Sequence, residues 1–301
     1  MLDSEKFHIL SVAMIAALEA GQYFSRHVNQ TKTVKEKSSP MDLVTEIDPQ
    51  CESLIRSRIA EDFPHHVVLG EENTAPGAAA SVRATTTVAA AEHLWIIDPL
   101  DGTANFVHEI CLSVVSIAYA HQGHVRLGVV YNPYQDELFF AYHAGGAFRI
   151  RGCDAADWIG PMQHRAFPSA PGVGIPASWT PLRVSSQQSL KRAFLASDFP
   201  ARGPGASERT VAGLNLAASA GSFRSIGAAA LQLAWVAAGR LDAYWGYDLN
   251  AWDIAAGALL VQEAGGVIGA IGGGSYDLLS RNILATGQQE LATILNGSLP
   301  L

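Results

Sequence analysis

The stretch that decides the fold of this chain reads Trp95-Ile96-Ile97-Asp98-Pro99-Leu100-Asp101-Gly102-Thr103-Ala104-Asn105-Phe106. Its first three residues form a short apolar run, which is typical of a buried strand, and Pro99 favours extended backbone at Asp98. We therefore predict that the first carboxylate lies where a strand ends and that a turn brings Asp101 back beside it. Gly102 lets the backbone approach a ligand closely, and free N–H groups at a helix start attract phosphate.

Two further acids border apolar segments elsewhere in the chain. Val67 to Leu69 is a second apolar run that ends in Gly70-Glu71-Glu72, so Glu71 also lies where a predicted strand stops. Asp253 precedes an apolar segment, residues 254–264, at the N-cap or in the first turn of a predicted helix, where a negative side chain is favoured. Taken singly, an Asp-Gly turn is common, and Asp253 is most simply a helix cap.

Electrostatics distinguishes a metal site from a set of unrelated turn acids. If Glu71, Asp98, Asp101 and Asp253 converge, each pair of charges about 4 Å apart repels by about 4 kcal/mol at an effective dielectric constant near 20. Several such pairs would rival the total stability of a fold. Divalent cations remove this penalty, and oxygen ligands suit Mg²⁺ or Mn²⁺ better than Zn²⁺.

The composition is that of a globular chain. With 301 residues, of which 49% are hydrophobic, it can bury a sizeable core, which excludes general disorder. A formal net charge of −8 makes nucleic acid an unfavourable partner. No uninterrupted apolar run reaches the roughly 18 residues of a membrane span, so no membrane partner is expected.

The cysteines and the N-terminal residues favour a cytoplasmic location. Cys51, Cys111 and Cys153 are odd in number and widely spaced, without the short pairs of zinc or redox motifs, so we expect reduced thiols. The N-terminal stretch is interrupted by acidic residues and has no basic leader, so no targeting segment is predicted. A location inside an organelle is left open.

Residue periodicity predicts a mixed α and β architecture. Apolar residues at three- and four-residue spacing predict an amphipathic helix over residues 7–21. Asp48-Pro49 predicts the N-cap and first position of a second helix, with Leu54 and Ile55 facing inward. Residues 112–150 predict a meander of antiparallel strands. Further predictions are helices at 207–220 and 228–239, a strand at 240–245, and surface loops at 75–92 and 152–181.

Four motifs together resemble one enzyme family. Asp98-Pro-Leu-Asp-Gly-Thr103, followed by Trp252-Asp253, eleven residues and Gly265-Gly266, resembles the paired signature of the inositol monophosphatase family of lithium-sensitive, magnesium-dependent phosphatases. Lys37-Ser-Ser-Pro-Met-Asp-Leu-Val-Thr-Glu-Ile-Asp48 resembles the family's N-terminal loop and helix entry, and Gly70-Glu71-Glu72 resembles its Gly-Glu-Glu element. The motifs occur in the family's order, and the similarity extends from about residue 5 to about residue 290.

The resemblance implies an α+β fold in which helices and sheets alternate as a layered αβαβα sandwich. It implies an N-terminal subdomain, residues 1–150, with most metal ligands, and a C-terminal subdomain, residues 151–301, with Asp253 and the substrate contacts. The active site would lie between them. A homodimer, a small phosphorylated metabolite as substrate, and two or three Mg²⁺ ions per site are also implied, with Mn²⁺ as a possible substitute.

The metal ligands implied by the resemblance are five residues. Glu71, Asp98 and the carbonyl of Leu100 would bind a first metal ion, and Asp98, Asp101 and Asp253 a second. Glu71 would also support a weak third ion. The first ion would activate a water molecule for in-line attack on phosphorus, and the second would stabilise the departing alkoxide.

Phosphate binding and proton transfer are assigned in the same way. The amides of Gly102 and Thr103 would hold the phosphate. Thr103, oriented by Asp48, and Glu71 are the candidates for taking the proton of the attacking water. Lys37 lies in a loop and would help to order the metal site.

Substrate contacts follow less directly from the resemblance. The family's Gly-x-Ala segment aligns with Gly227-Ala228-Ala229, but its substrate-binding glutamate falls on Gly246, where Asp248 would have to compensate. Asn105-Phe106 resembles the monophosphatase branch, so inositol monophosphate is the first choice of substrate. Histidinol phosphate, a sugar bisphosphate and a nucleotide-type phosphate are alternatives, as is a regulatory or scaffold protein without turnover.

Overall fold

Helices and sheets alternate in this structure. The computed structural model describes residues 3–37, 42–159, 176–199 and 205–301. The helices are α1 (Asp3–His27), α2 (Ile47–Asp62), α3 (Ala78–Val88), α4 (Thr103–Val107), α5 (Gly152–Ile159), α6 (Ala206–Ser219), α7 (Ala229–Ala237), α8 (Ala251–Glu263) and α9 (Gln289–Asn296). The strands are β1 (Lys35–Glu36), β2 (Leu43–Val44), β3 (Val67–Gly70), β4 (His93–Asp101), β5 (Val114–His121), β6 (His124–Asn132), β7 (Glu137–Tyr142), β8 (Gly146–Arg151), β9 (Thr180–Pro181), β10 (Phe194–Ser197), β11 (Ser222–Arg224), β12 (Ala243–Gly246), β13 (Val267–Ala270) and β14 (Ile283–Thr286).

The strands form two large sheets and one small one. The first large sheet has the order β3-β4-β5-β6-β7-β8-β9, in which β3 and β4 are parallel and the other neighbours antiparallel. The second has the order β11-β10-β12-β14-β13, with β10 parallel to both its neighbours. Strands β1 and β2 pair as a short ribbon. The predicted meander over residues 112–150 is confirmed as β5 to β8.

Alternating side chains of the first sheet face two different cores. Trp95, Ile97 and Tyr119 pack under α1 and α2, whereas Leu94 and Ile96 face the opposite way, towards α7 and α8. Successive residues of a strand point to opposite faces, so one strand serves both cores. On the far side of α7 and α8 lies the second sheet, whose outer face packs against α6 and α9. This order confirms the predicted layered α+β sandwich, while the boundary at residue 150 stays a prediction.

The middle helical layer is packed unusually closely. A Cβ on Gly257 of α8 would lie 2.5 Å from Leu233 Cβ of α7, and one on Gly128 of β6 would lie 2.7 Å from Ala256 O of α8. Because neither position has room for a side chain, α8 is held tightly between the first sheet and α7. The first turn of α8, with Asp253, therefore has a fixed place beside the first sheet.

Several sequence-based boundaries were wrong. Helix α2 begins at Ile47 with Glu46 at the N-cap, so Asp48 is its second residue, and Leu54 is 38% exposed instead of facing inward. The predicted loop at 75–92 contains α3.

The second predicted loop, 152–181, begins with α5 and ends with β9, while its residues 160–175 lie outside the described ranges. The helices predicted at 207–220 and 228–239 are α6 and α7, and the predicted strand at 240–245 is β12, which begins at Ala243.

Helix α1 combines length with an apolar composition. Among the described residues it is the helix long and apolar enough to cross a membrane, which the expectation from uninterrupted apolar runs did not anticipate. Most of it is buried inside the fold, with Ile9, Leu10 and Met14 fully covered. Its apolar side chains are therefore accounted for by packing in the core.

A column of aromatic rings lies at the amino end of β4, far along the strand from its acids. The His66 and His93 rings stack with centroids 4.3 Å apart and an interplanar angle of 10°, and Phe63 stacks on the other side of His66. Trp95 donates its indole N–H to His66 Nδ1 at 3.0 Å. Burial and the nearby His93 lower the pKa of His66 from 6.5 to about 4.

We expect the neutral His66 to make stability depend on pH. Between pH 6.5 and about 4 the unfolded chain binds a proton at residue 66 that the folded chain does not, so this contribution is present above pH 6.5 and lost as the pH falls. His66→Asn keeps an acceptor for Trp95 but cannot titrate. Its melting temperature should fall less than that of the wild type between pH 6.5 and 4, whereas exposed His124→Asn should follow the wild type. Equal slopes for wild type and His66→Asn would contradict the assignment.

Candidate active site

The two acids of the central motif lie in one strand, not on either side of a turn. Asp98 pairs with Ser116 on β5, and Asp101 pairs with Val114. The chain therefore advances three residues on β4 while it covers only two residues on β5. This is a β-bulge with one extra residue. In a regular strand, residues three apart face opposite sides, and the extra residue lets both carboxylates face the same pocket. The predicted turn after Asp98 was therefore wrong, although the predicted proximity of the two acids is confirmed.

Backbone N–H groups hold both of these carboxylates. Leu100 donates its N–H to Asp98 Oδ1 at 3.0 Å. Ala229 and Ala230, at the start of α7, donate to Asp101 Oδ1 and Oδ2 at 3.3 and 2.7 Å. The start of a helix is favourable for a negative charge, so α7 stabilises Asp101 in its buried position.

The third acid, Asp253, lies in the first turn of α8. Asn250 donates its backbone N–H to Asp253 Oδ2 at 2.7 Å, which makes Asp253 part of the helix cap as well as of the pocket. Ser116 Oγ donates to Trp252 O at 3.1 Å and ties the start of α8 to β5. Burial, followed by the charge of Glu71, raises the pKa of Asp253 to about 7.

The fourth acid, Glu71, follows β3 directly, as the sequence predicted. Its N–H donates to Ile97 O at 3.3 Å and extends the β3–β4 pairing by one residue. Lys37 Nζ donates to Glu71 Oε1 at 2.8 Å and to Glu72 Oε1 at 2.6 Å. Although burial disfavours its charge, the two carboxylates raise the pKa of Lys37 above its ordinary value.

The four acids share one electrostatic environment. Burial is the largest cause raising the pKa of Asp98 well above its ordinary value, followed by the charges of Glu71, Asp101 and Asp253. Burial and Asp253 act in the same direction on Asp101. Asp98 therefore interacts electrostatically with each of the other three acids that the sequence singled out.

This donor set suits a hard divalent cation, because it consists of oxygen atoms and already attracts the Lys37 ammonium. Within the described ranges, no three acidic, histidine or cysteine side chains converge into a ready-made ion site. Each carboxylate is instead held by an N–H or ammonium donor.

Thr103 and Asp48 form a second, neighbouring cluster. Thr103 Oγ1 lies 3.0 Å from Asp48 Oδ1 and 3.2 Å from Leu100 O, and its proton can be donated to either acceptor. Asp48 is 1% exposed, and its Oδ2 accepts the N–H and hydroxyl of Thr45 at 2.9 and 2.5 Å. Burial raises the pKa of Asp48 despite these hydrogen bonds. The predicted contact between Thr103 and Asp48 is therefore present.

Gly102 occupies a position that excludes other residues. Its φ is +90°, and an added Cβ would lie 3.1 Å from Leu112 O, 3.2 Å from Ala228 Cβ and 3.3 Å from Gly227 O. Positive φ is strained for residues with a side chain. The segment Gly227-Ala228-Ala229 therefore lies directly against the Gly102 turn, while its contact with substrate stays a prediction.

Neither Gly246 nor its neighbour Asp248 offers a free carboxylate where the family has its substrate-binding glutamate. A Cβ on Gly246 would lie 2.5 Å from Leu249 Cδ1 and 2.8 Å from Tyr244 Oη. Asp248, with φ of +55°, accepts from Arg209 Nη1 at 2.9 Å. Its carboxylate is engaged in this ion pair, so the idea that Asp248 compensates for Gly246 gains no support.

Two acids near the site were missed by sequence reasoning. Glu52 of α2 is 1% exposed and accepts from Arg56 Nε, Asn73 Nδ2 and the N–H of Glu72 at 2.8, 2.7 and 2.8 Å, which fixes the turn that carries Glu71. A signal was available, because Glu52 stands between inward-facing Cys51 and Ile55.

The other missed acid is Asp198, which follows the apolar strand β10 directly. This is the pattern that identified Glu71, so the same signal was available.

Alternating helical and sheet layers around a buried, oxygen-rich pocket define a class of phosphatases that use divalent metal ions. The model of the inositol monophosphatase family matches residues 5–300. The chain is 36% identical over 280 residues to inositol monophosphatase 3 of Solanum lycopersicum, covering 92% of this chain and 91% of the relative. It is 34% identical over 289 residues to inositol-1-monophosphatase of Mesorhizobium japonicum, covering 95% and 94%.

The solved structures give the same result. Extragenic suppressor protein suhB from Bartonella henselae superposes with a TM-score of 0.76 at 32% identity, covering 97% of this chain and 98% of that one. The chain belongs to the inositol monophosphatase family, whose members are phosphoric monoester hydrolases of small phosphorylated substrates.

Substitution of Gly102 should separate backbone strain from loss of space. Gly102→Ala places a Cβ at positive φ and against Leu112 O, whereas Gly265→Ala has a similar φ of +88° with nothing within 4 Å. Strain alone should lower the free energy of unfolding by about 1–2 kcal/mol in either variant. We expect a larger loss for Gly102→Ala in urea titrations, together with loss of phosphatase activity. Equal losses in the two variants would show that the close approach is unimportant.

Proposed function

We propose that this chain is a magnesium-dependent phosphomonoesterase that hydrolyses a small polyol or alcohol monophosphate, with inositol monophosphate as the first choice. The observation that carries the proposal is the buried Asp98, whose pKa is raised by burial and then by the charges of Glu71, Asp101 and Asp253. Oxygen donors favour Mg²⁺ or Mn²⁺ over softer metals. The names of the two relatives above support an inositol phosphate as substrate.

The proposed ligand sets are those that the family resemblance implies. Glu71, Asp98 and the carbonyl of Leu100 would hold one cation, and Asp98, Asp101 and Asp253 a second, with Glu71 beside a weaker third. Such cations acidify water and stabilise a departing alkoxide when bound. Bringing these acids together without opposite charge is costly, which supports a cation-binding role.

The other residues would bind substrate and handle protons. The amides of Gly102 and Thr103 would donate to phosphate oxygens at the turn where β4 meets α4. With its own proton directed to Asp48 Oδ1 at 3.0 Å, Thr103 Oγ1 would accept a hydrogen bond from the attacking water. Glu71 is the second candidate base. Lys37, 2.8 Å from Glu71, would keep the first ligand set oriented.

One observation favours a second candidate substrate. Because Leu249 occupies the space beside Gly246 and Asp248 pairs with Arg209, this side of the site offers less to the hydroxyls of a polyol. An alcohol phosphate with fewer hydroxyls, such as histidinol phosphate, is therefore the alternative. Catalytic efficiencies for inositol monophosphate, histidinol phosphate, a sugar bisphosphate and a nucleotide, with and without Mg²⁺, decide between them. No phosphate release from any ester would favour a scaffold or regulatory role.

The proposal includes a reducing compartment and a homodimer. Cys111 and Cys153 are exposed free thiols, which supports a cytoplasmic location. The homodimer rests on the family resemblance alone, and light scattering of the purified protein tests it.

Neutralising a proposed metal ligand should abolish activity without unfolding the protein. Asp98→Asn and Asp253→Asn each remove one negative charge from the pocket, and we expect magnesium-dependent phosphate release to fall below about 1% of wild type, since ligand oxygens are lost. The metal-free variants should melt at or above the wild-type temperature because repulsion is reduced. Exposed Glu290→Gln is the matched control and should keep full activity. Turnover near the wild-type level in Asp98→Asn or Asp253→Asn would remove the basis of the ligand assignment.

Lithium inhibition is a separate expectation that the family resemblance supports. A dose series of LiCl at fixed Mg²⁺, with NaCl as the ionic-strength control, should reduce phosphate release in the tens of millimolar range. Full activity at those lithium concentrations would count against a lithium-sensitive member of the family.

A further inference from the structure

Asp198 is an acid near the site that the proposed chemistry does not use. It follows β10 at the carboxyl end of the strand, and its side chain accepts hydrogen bonds from the segment before α7, from α7 and from β12. Oδ1 accepts the backbone N–H groups of Ile226 and Gly227 at 3.2 and 2.7 Å. Oδ2 accepts Gln232 Nε2 at 2.7 Å and Tyr244 Oη at 3.3 Å.

These four donors leave Asp198 little capacity for a ligand of its own. A carboxylate has about four acceptor positions, and each oxygen of Asp198 already receives two donors. We therefore place Asp198 among the residues that orient others and not among those that touch substrate.

The segment that Asp198 holds is also held from the other side. Asn105 Nδ2 donates to Ile226 O at 2.8 Å and to Leu112 O at 3.1 Å. Asp198 therefore accepts the N–H groups of residues 226–227 while Asn105 donates to the carbonyl of Ile226. This clamp, formed by Asp198 and Asn105, fixes Gly227 at φ of +78°.

The clamped segment leads directly into the amides that hold Asp101. Two and three residues after Gly227, the N–H groups of Ala229 and Ala230 donate to Asp101 at 3.3 and 2.7 Å. The direction of these two N–H groups depends on the backbone position at which α7 begins, and the clamp fixes that position. A displacement at Gly227 would therefore rotate the donors of Asp101.

We propose that Asp198 is a positioning residue that acts through the first turn of α7 on the orientation of Asp101, and thereby on divalent-cation binding by Asp98, Asp101 and Asp253. The inference rests on the proposed function, since it assigns a support to the same site. Residues that orient metal ligands typically change metal affinity by about 10- to 100-fold when removed.

Asp242, which precedes β12 and contacts the other end of β10, offers a matched control. Asp242 Oδ2 accepts the N–H of Phe194 at 2.6 Å, at the opposite end of β10 from Asp198. Asp242→Asn therefore perturbs an equivalent carboxylate–amide bond without touching the clamp. Asp198→Ala removes the clamp, whereas Asp198→Asn keeps one oxygen that can accept from Ile226 and Gly227.

The first readout is amide exchange of the metal-free protein, which requires no turnover. Loss of protection at Ile226 and Gly227 is expected in Asp198→Ala because their acceptor is gone. The decisive positions are Ala229 and Ala230, whose N–H groups donate to Asp101 and not to Asp198. We expect their exchange to accelerate in Asp198→Ala, less in Asp198→Asn, and not in Asp242→Asn.

The second readout is Mg²⁺ binding by calorimetry, followed by kcat and KM. The Mg²⁺ concentration at half saturation should rise about 10-fold or more in Asp198→Ala, with a smaller rise in Asp198→Asn and none in Asp242→Asn. The effect should fall on kcat at subsaturating Mg²⁺ more than on KM, with partial rescue by excess Mg²⁺. A role confined to stability would lower the melting temperature but leave half saturation unchanged.

The outcomes separate the two proposals. Unchanged exchange at Ala229 and Ala230, or unchanged Mg²⁺ half saturation in a folded Asp198→Ala protein, overturns the positioning role. Equal effects in Asp242→Asn overturn it as well. If Asp198→Ala does not fold, the same criteria apply to Asp198→Asn. Wild-type protein that binds Mg²⁺ without releasing phosphate refutes the proposed function while leaving this test intact.

Discussion

Repulsion among buried carboxylates is the constraint on which this structure depends. Asp98 is 2% exposed and Asp101 8% exposed, and burial raises the pKa of both. Acids in such surroundings are stable only where donors or opposite charges compensate them. The fold provides N–H groups from the β4 bulge and the start of α7, and Lys37 provides a positive charge beside Glu71. These donors therefore stabilise carboxylates that burial would otherwise disfavour.

Holding these charges requires elements that cannot move apart easily. Glycines at 128 and 257 let α8 lie against β6 and α7 without intervening side chains, so the helix that carries Asp253 is fixed by close packing. The carboxylates then come from β4, from the residue after β3 and from α8, three elements joined through the same core. Close packing of the middle layer thus keeps Asp253 in place despite the repulsion between the acids.

The parts of this site that could be predicted are those with a local signature. Asp98, Asp101 and Glu71 each lie at or near the end of an apolar run, and Asp253 begins one, so residue type and position together identified all four. The layered fold came from the family resemblance, which linked motifs far apart in the sequence. The pairing of Thr103 with Asp48 also came from that resemblance.

The predictions failed where a structure depends on partners that the local pattern does not show. Residues 75–92 looked like a loop because alanine and threonine dominate the segment and threonine is a weak helix former. The segment nevertheless contains α3, in which the hydroxyls of Thr85, Thr86 and Thr87 each donate to the carbonyl four residues earlier. The bulge at Asp98 is defined only by its register with β5. Asp198 has the same local signature as Glu71, but its donors lie 28 to 46 residues further along the chain. Its importance follows from the path of the chain through α7, so an acid at a strand end is a candidate whose role only the fold can assign.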